Sequence, residues 1–218
     1  MPRNGYRLAY IGSPPVAGAY DGQPLLLRDP LTMLIAYPSF EEQLTRLLPR
    51  LGQTGMHLAI GDVDGLREYV TERRAADPAC FGHLAGNDCM RQVGRLTAEW
   101  AEKELTAGWT LGMCGTFGGD EVIVAAAGHS HMRFARVIND LCDRLRAHAP
   151  RPSSFALGTM PPRALSPAEA SDVYRQLVSR IDASLFEAKE KWRTEDGRLE
   201  GRVWDLGFVD ADQGKKPG

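Results

Sequence analysis

Two short acidic stretches carry the residue types that metal-assisted phosphate chemistry requires. Asp62-Val63-Asp64 closes an apolar run, and Gly118-Gly119-Asp120-Glu121-Val122 lies between two apolar stretches. Nucleotidyl transfer uses two divalent cations about 3.5–4 Å apart, one activating a hydroxyl and the other holding phosphate and the leaving oxygen. The protein's part is a set of carboxylates on neighbouring elements. Side chains two residues apart on a strand share a face, which places Asp62 and Asp64 together. A hairpin turn at Gly118-Gly119 brings Asp120 and Glu121 beside them if the strands are neighbours. Either motif alone is an ordinary Asp-rich strand end or hairpin tip. Their combination, between apolar strands, points to Mg2+ or Mn2+ bound through a few carboxylates plus substrate phosphates.

These residues need strands and helices to hold them. Met56–Gly61 reads as a strand, and Trp109–Thr116 with Val122–Ala126 as a hairpin whose Gly-Gly turn takes positive φ. Ser154–Met160 reads as a fourth strand, and Val203–Leu206 as a possible addition. Helices are predicted from Ser39 (Ser39 and Glu42 at capping-box spacing), over Gly86–Thr106, over His131–Ala147, and from Ser166 with Glu169 to about Trp192. The order of elements predicts an α/β (α+β) sandwich with a central, mostly antiparallel sheet flanked by helices. The expected organisation is a Gly- and Pro-rich leader arm at 1–28, one domain at 29–193 and a tail at 194–218.

The 218 residues are 43% hydrophobic and 25% charged, a globular balance, and the formal charge of -2 argues against a protein that wraps long nucleic acid. Cys80, Cys89, Cys114 and Cys142 form no CxxC pair, and no run approaches the ~18 apolar residues that span a bilayer. A cytoplasmic location without membrane contact is the expectation. His129 and His131 have a chelating spacing but read as surface residues of a loop. Cys114 reads as core.

Five motifs, in order, resemble those of GGDEF-domain diguanylate cyclases. Asp29-Pro30-Leu31-Thr32-Met33-Leu34 resembles D-x-L-T-G-L, Asp62-Val63-Asp64-Gly65-Leu66-Arg67 resembles D-[IV]-D-x-F-K, and Gly82-His83-Leu84-Ala85-Gly86-Asn87 resembles G-H-x-x-G-D. Phe117–Val122 resembles Y-G-G-D-E-F, and Ser184–Lys189 resembles A-L-Y-x-A-K. The resemblance implies a palm-like nucleotide-cyclase fold. It further implies that two GTP molecules are condensed into cyclic di-GMP with release of pyrophosphate, on two ions, in a homodimer that faces two loaded sites toward each other. In it Asp62, Asp120 and Glu121 are catalytic, and Asp62, the Val63 carbonyl and Asp120 hold metal. The amides of Gly65, Leu66 and Arg67 hold phosphates, with Lys189 and Arg193 as phosphate-contacting cations, and Asn87 stands where a base-reading Asp is usual.

The chain departs from the pattern at base-reading positions. Val70 stands where an Asn is usual, and Asn87 where an Asp is. Residues 72–81 lengthen a connection, which either rebuilds the base pocket or extends a helix. Trp109 and Gly112 replace the R-x-x-D of the product-inhibition site. Alternatives therefore stand beside diguanylate cyclase: an ATP or mixed-dinucleotide cyclase, a mononucleotide cyclase or hydrolase, or a non-catalytic nucleotide-binding module.

Overall fold

The computed structural model describes residues 8–9, 26–77, 82–106, 108–196 and 199–209. Most of the leader, residues 78–81 with Cys80, and residues 210–218 of the tail thus lie outside the described residues. The strands are β1 (Leu8–Ala9), β2 (Ile35–Ala36), β3 (Met56–Val63), β4 (Leu111–Gly118), β5 (Glu121–Ala127), β6 (Ser153–Met160) and β7 (Val203–Phe208). The α-helices are α1 (Tyr37–Leu51), α2 (Leu66–Ala76), α3 (Gly82–Glu104), α4 (His131–His148) and α5 (Pro167–Asp196).

All the strands join one sheet, in the order β1-β4-β5-β3-β6-β7 with β2 also on β4. Its four long members pair antiparallel, whereas β1, β2 and β7 run parallel to their neighbours. The sheet is therefore mixed, with an antiparallel centre as expected from the hairpin at Gly118-Gly119.

Helices cover both faces, which is why the strands read as continuous apolar runs rather than alternating ones. Met56, Leu58 and Ile60 of β3 pack with Phe40 and Leu44 of α1 and with Tyr174, Leu177 and Ile181 of α5. On the opposite face Ala59 and Val63 join Val93, Leu96 and Trp100 of α3 and Phe134, Ile138 and Leu141 of α4. Cys114 is buried in that second layer, as expected, and burial pushes its thiol up to about 12.

The two capping boxes have different outcomes. At α5 the box forms: Ser166 N and Oγ donate to Glu169 Oε2 at 2.9 and 2.6 Å, and Glu169 N donates back to Ser166 Oγ at 3.3 Å. At α1 it does not, because the helix begins two residues earlier, with Ala36 as N-cap and Pro38 in its first turn. Ser39 is instead buried inside the helix and accepts the amide of Leu27 at 3.0 Å. Proline is favoured in a first turn because it lacks an N–H that would be unsatisfied there.

Candidate active site

Register brings the two acidic motifs together. Asp62 at the end of β3 is the cross-strand partner of Glu121 at the start of β5, and Val63 N donates to Asp120 O at 3.1 Å. The hairpin that presents Asp120 is tight, with Gly118 and Gly119 at φ of 99° and 69°. Thr116 fastens it: its hydroxyl donates to Glu121 O at 2.7 Å and accepts Gly118 N at 3.1 Å. Nothing lies within 4 Å of a Cβ placed on either glycine. Those glycines are therefore required by backbone angle and not by crowding, and the space over the turn is open to a ligand.

The chain after β3 turns through Gly65, in the left-handed region at φ 66° and ψ 36°, directly into α2. The first intrahelical bond runs from Tyr69 N to Gly65 O at 3.0 Å. The amides at the start of this 11-residue helix consequently point outward without a capping side chain. Such a turn of amides is suited to phosphate oxygens. Gly65, Leu66, Arg67, Asp62, Val63, Asp120 and Glu121 all line one hollow of ≈ 450 Å3, closed on its far side by α5. A second hollow of ≈ 700 Å3 shares Leu66, Arg67 and Asp120 with it and continues between α2 and α3 past Val70, Arg74, Asn87 and Met90. Both volumes lie in the range of small-ligand sites, about 300–1,000 Å3.

The two cations expected on α5, Lys189 and Arg193, both line this hollow, and both are ion-paired. The Lys189 side chain is 12% exposed, and its ammonium pairs with Asp62 and, at 2.8 Å, with Asp64 Oδ1. Burial alone would lower its pKa, but Asp64 and Asp62 outweigh that and raise it. Arg193 pairs with Glu190 and lines the hollow from one turn further along α5.

Asp64 likewise is not a free site carboxylate. It is 2% exposed, and its Oδ2 accepts Ser154 Oγ at 2.6 Å and Gly201 N at 3.0 Å. Asp62 and Asp64 do share a face, as strand periodicity predicts, but one opens to the hollow and the other is walled in. The sequence reading missed Asp182, which lines the hollow opposite Glu121. Its signal was present: Asp182, Lys189 and Arg193 recur at helical spacing along one stripe of α5.

Among the described residues, no three His, Cys, Asp or Glu side chains gather closely enough to hold a metal ion by themselves. The expected convergence of three or four carboxylates is therefore reduced to a looser set. That set still suits magnesium, which is held through one or two carboxylates plus substrate phosphates rather than by a closed protein cage. Asp62 already partners a cation, the Lys189 ammonium, so the donor chemistry fits a positive ion.

Glu121 carries a testable electrostatic signature. Burial first, then Asp182, Asp62 and Asp120, push its carboxyl above the ordinary range, with Lys189 pulling the other way. The folded protein thus holds this proton more tightly than the unfolded chain does. The associated stability is complete below the ordinary Glu value and is lost as pH rises through the raised one. Glu121→Gln removes the effect. In metal-free thermal denaturation the variant is expected to melt above the wild type at pH 8, with the difference closing at pH 4; a constant difference would contradict the assignment.

His129 and His131 are half-buried, more enclosed than the expected surface residues. His131 is bonded through Nδ1 to Thr159 Oγ1 at 2.7 Å and through Nε2 to Asp205 Oδ2 at 2.9 Å. Thr159 also meets His57 Nδ1 at 2.7 Å, while His57 Nε2 donates to the His129 carbonyl at 2.8 Å. This network binds the β3 start, the β6 end, α4 and β7, at the end of the sheet away from Asp62.

No protein-family model matches the chain, and no curated protein does. Solved structures do. The diguanylate cyclase SiaD from Pseudomonas aeruginosa, solved with its activator SiaC, aligns over 82% of this chain and 61% of its own at 24% identity and TM-score 0.61. This chain therefore spans about three fifths of SiaD's length. The GGDEF domain of DgcB from Caulobacter crescentus, in complex with c-di-GMP, aligns over 84% of this chain and 97% of its own at 17% identity and TM-score 0.61. The FimX GGDEF domain from Pseudomonas aeruginosa aligns over 81% and 98% at 13% identity and TM-score 0.58. No helix among the described residues is long and apolar enough to cross a membrane. With its antiparallel centre, its Gly118-Gly119 hairpin beside Asp62 and these neighbours, the chain has the fold of the GGDEF domains of diguanylate cyclases.

Proposed function

We propose that this protein is a divergent GGDEF enzyme that condenses two GTP molecules into cyclic di-GMP and releases pyrophosphate. The observation that carries the reading is the pairing of Asp62 with Glu121 across β3 and β5, with Asp120 on the intervening turn and the Gly65–Arg67 amides alongside. Two bound Mg2+ or Mn2+ ions, held by Asp62, the Val63 carbonyl and Asp120, would supply charge neutralisation at the transferring phosphate and an acidified ribose hydroxyl.

The chain's own groups do the remainder. The amides at the start of α2 hold the terminal phosphates in one orientation, and Arg67 and Arg193 add positive charge along the same hollow. On this reading Glu121, whose proton affinity is raised, is the acceptor of the 3′-hydroxyl proton. Lys189 moves from Asp62 toward phosphate when substrate enters. One chain forms half of the reaction centre, so catalysis requires two copies face to face.

Val70 and Asn87 line the adjoining hollow, and they sustain a second reading in which the base is adenine. Incubation of the purified chain at high concentration with Mg2+ and each nucleoside triphosphate, followed by mass spectrometry, separates the two. Cyclic di-GMP with stoichiometric pyrophosphate from GTP is the expected result. A product only from ATP favours the second reading, and no product from any nucleotide overturns both.

A further inference from the structure

Gly65 stands between two hollows. In front of it is the one lined by Asp62, Asp120 and the first residues of α2. Behind it is another of ≈ 650 Å3, lined by Asp64, Glu68, Glu72, Glu200 and Arg151. Arg151 belongs to the connection from α4 to β6 and borders only the rear hollow. Its guanidinium lies against the back of the turn: Nε donates to Gly65 O at 3.2 Å, and Nη2 stands 2.5 Å from the place a Cβ on Gly65 would take. The connection is itself anchored, since Pro152 O accepts Asp64 N at 2.8 Å and Cys89 of α3 bonds the Arg151 backbone.

This contact does not serve the helix. A cation beside a helix N-terminus opposes the macrodipole, and among the described residues Arg151 forms no ion pair with the glutamates of the rear hollow. What the contact does set is the direction of a peptide. The Gly65–Leu66 peptide is planar and trans, so its C=O and N–H point in opposite directions. A donor that holds Gly65 O therefore fixes the Leu66 amide, which belongs to the lining of the front hollow. Gly65 has no capping side chain and a backbone free to turn, so its orientation must be imposed from outside. Tyr69 N reaches the same oxygen at 3.0 Å, but that bond ties the turn only to its own helix. Arg151 takes the second lone pair and ties the turn to the chain entering β6.

We propose that Arg151 is a positioning residue for the terminal phosphates of the nucleotide: by holding Gly65 O it keeps the Leu66 amide in the direction that receives phosphate oxygen, without touching the nucleotide itself. This rests on the cyclase reading, which puts those phosphates at the start of α2. The hydrogen bond, rather than the charge, carries the effect.

Two variants separate bond from charge. Glutamine carries its amide nitrogen as many bonds from Cα as arginine carries Nε, so Arg151→Gln keeps a donor and loses the charge. Arg151→Met keeps an unbranched stem of the same length and loses both. Calorimetric titration of the full chain with Mg2+ compares GMP with the α,β-methylene analogue of GTP, which cannot be cleaved at the bond a cyclase breaks. The corresponding adenine pair is run beside it, so that the outcome is independent of the base. Arg151→Met is expected to weaken the triphosphate analogue by about 5- to 10-fold and to leave the monophosphate within about 2-fold of wild type, the effect of one lost oriented hydrogen bond. Arg151→Gln should stay within about 2-fold of wild type for both. Three results would overturn the inference: a triphosphate affinity of Arg151→Met within about 2-fold of wild type, Arg151→Gln as weak as Arg151→Met, which makes charge the cause, or equal weakening of mono- and triphosphate, which marks a general loss of structure. In each of these the wild type still binds triphosphate and the cyclase reading stands. No binding of either triphosphate analogue by the wild type removes both.

Discussion

Asp120→Asn is expected to lower pyrophosphate release from GTP by about 10^2–10^3-fold or more while leaving the protein folded. The size follows from position. Asp120 sits on a turn whose outer side is open, half-exposed, at the point where both hollows meet. On the cyclase reading a carboxylate there would meet the phosphates and their cations, and it supports no packing. Asparagine preserves its shape and removes its charge, so the variant loses stabilisation of the transferring phosphate and little else. Asp62→Asn should behave similarly. Its side chain is 28% exposed, and Lys189 keeps Asp64 as a partner when Asp62 is neutral. Steady-state rates at saturating GTP, set beside thermal midpoints of the same preparations, provide the check. A rate within 10-fold of wild type for both variants would remove the two carboxylates from the chemistry and with them the cyclase assignment.

The same pair of motifs shows what a sequence can and cannot disclose. Strand periodicity, the Gly-Gly turn and the apolar runs foretold β3, the β4–β5 hairpin and β6 within a residue or two, since each rests on local spacing. The mostly antiparallel centre followed from the hairpin. The parallel placement of β1, β2 and β7 on the sheet did not, because pairing of short edge strands is decided by tertiary contact. Ser39 misled for a related reason. Its spacing to Glu42 matches a cap, yet the Leu27 amide competed for its hydroxyl and Pro38 started the helix earlier.

Site residues divide in the same way. The placement of Asp62, Asp120, Glu121 and the Gly65 turn was legible because neighbouring positions fix it. Lys189 and Asp64 were legible as types but not as partners, since their pairing spans the whole domain from β3 to α5. The enclosure of His131 was not legible because its partners, Thr159 and Asp205, are remote in sequence.

Asp64 provides the largest expected loss of stability, and it does so from within the same three-residue motif. Its carboxylate is walled in at the junction of β3, β6 and the segment leading to β7. It accepts Ser154 Oγ and Gly201 N, and it balances the buried Lys189 ammonium. Arg202 N in turn donates to Ser154 Oγ at 3.2 Å, so the last strand is guided onto the sheet by groups that Asp64 holds. Asp64→Ala leaves two donors unsatisfied and half of the Lys189 pairing gone. Breaking a buried charge pair from one side costs about 3–5 kcal/mol. Ser154→Ala, which removes one neutral partner and leaves the charges paired, should cost only about 1–3 kcal/mol. Denaturant titration of the two variants decides the matter. Near-equal losses would mean that Lys189 is satisfied by Asp62 alone, and Asp64 would then be an ordinary buried acceptor. A loss about twofold larger for Asp64→Ala assigns to the second Asp of the motif the holding of the sheet end on which the first is mounted.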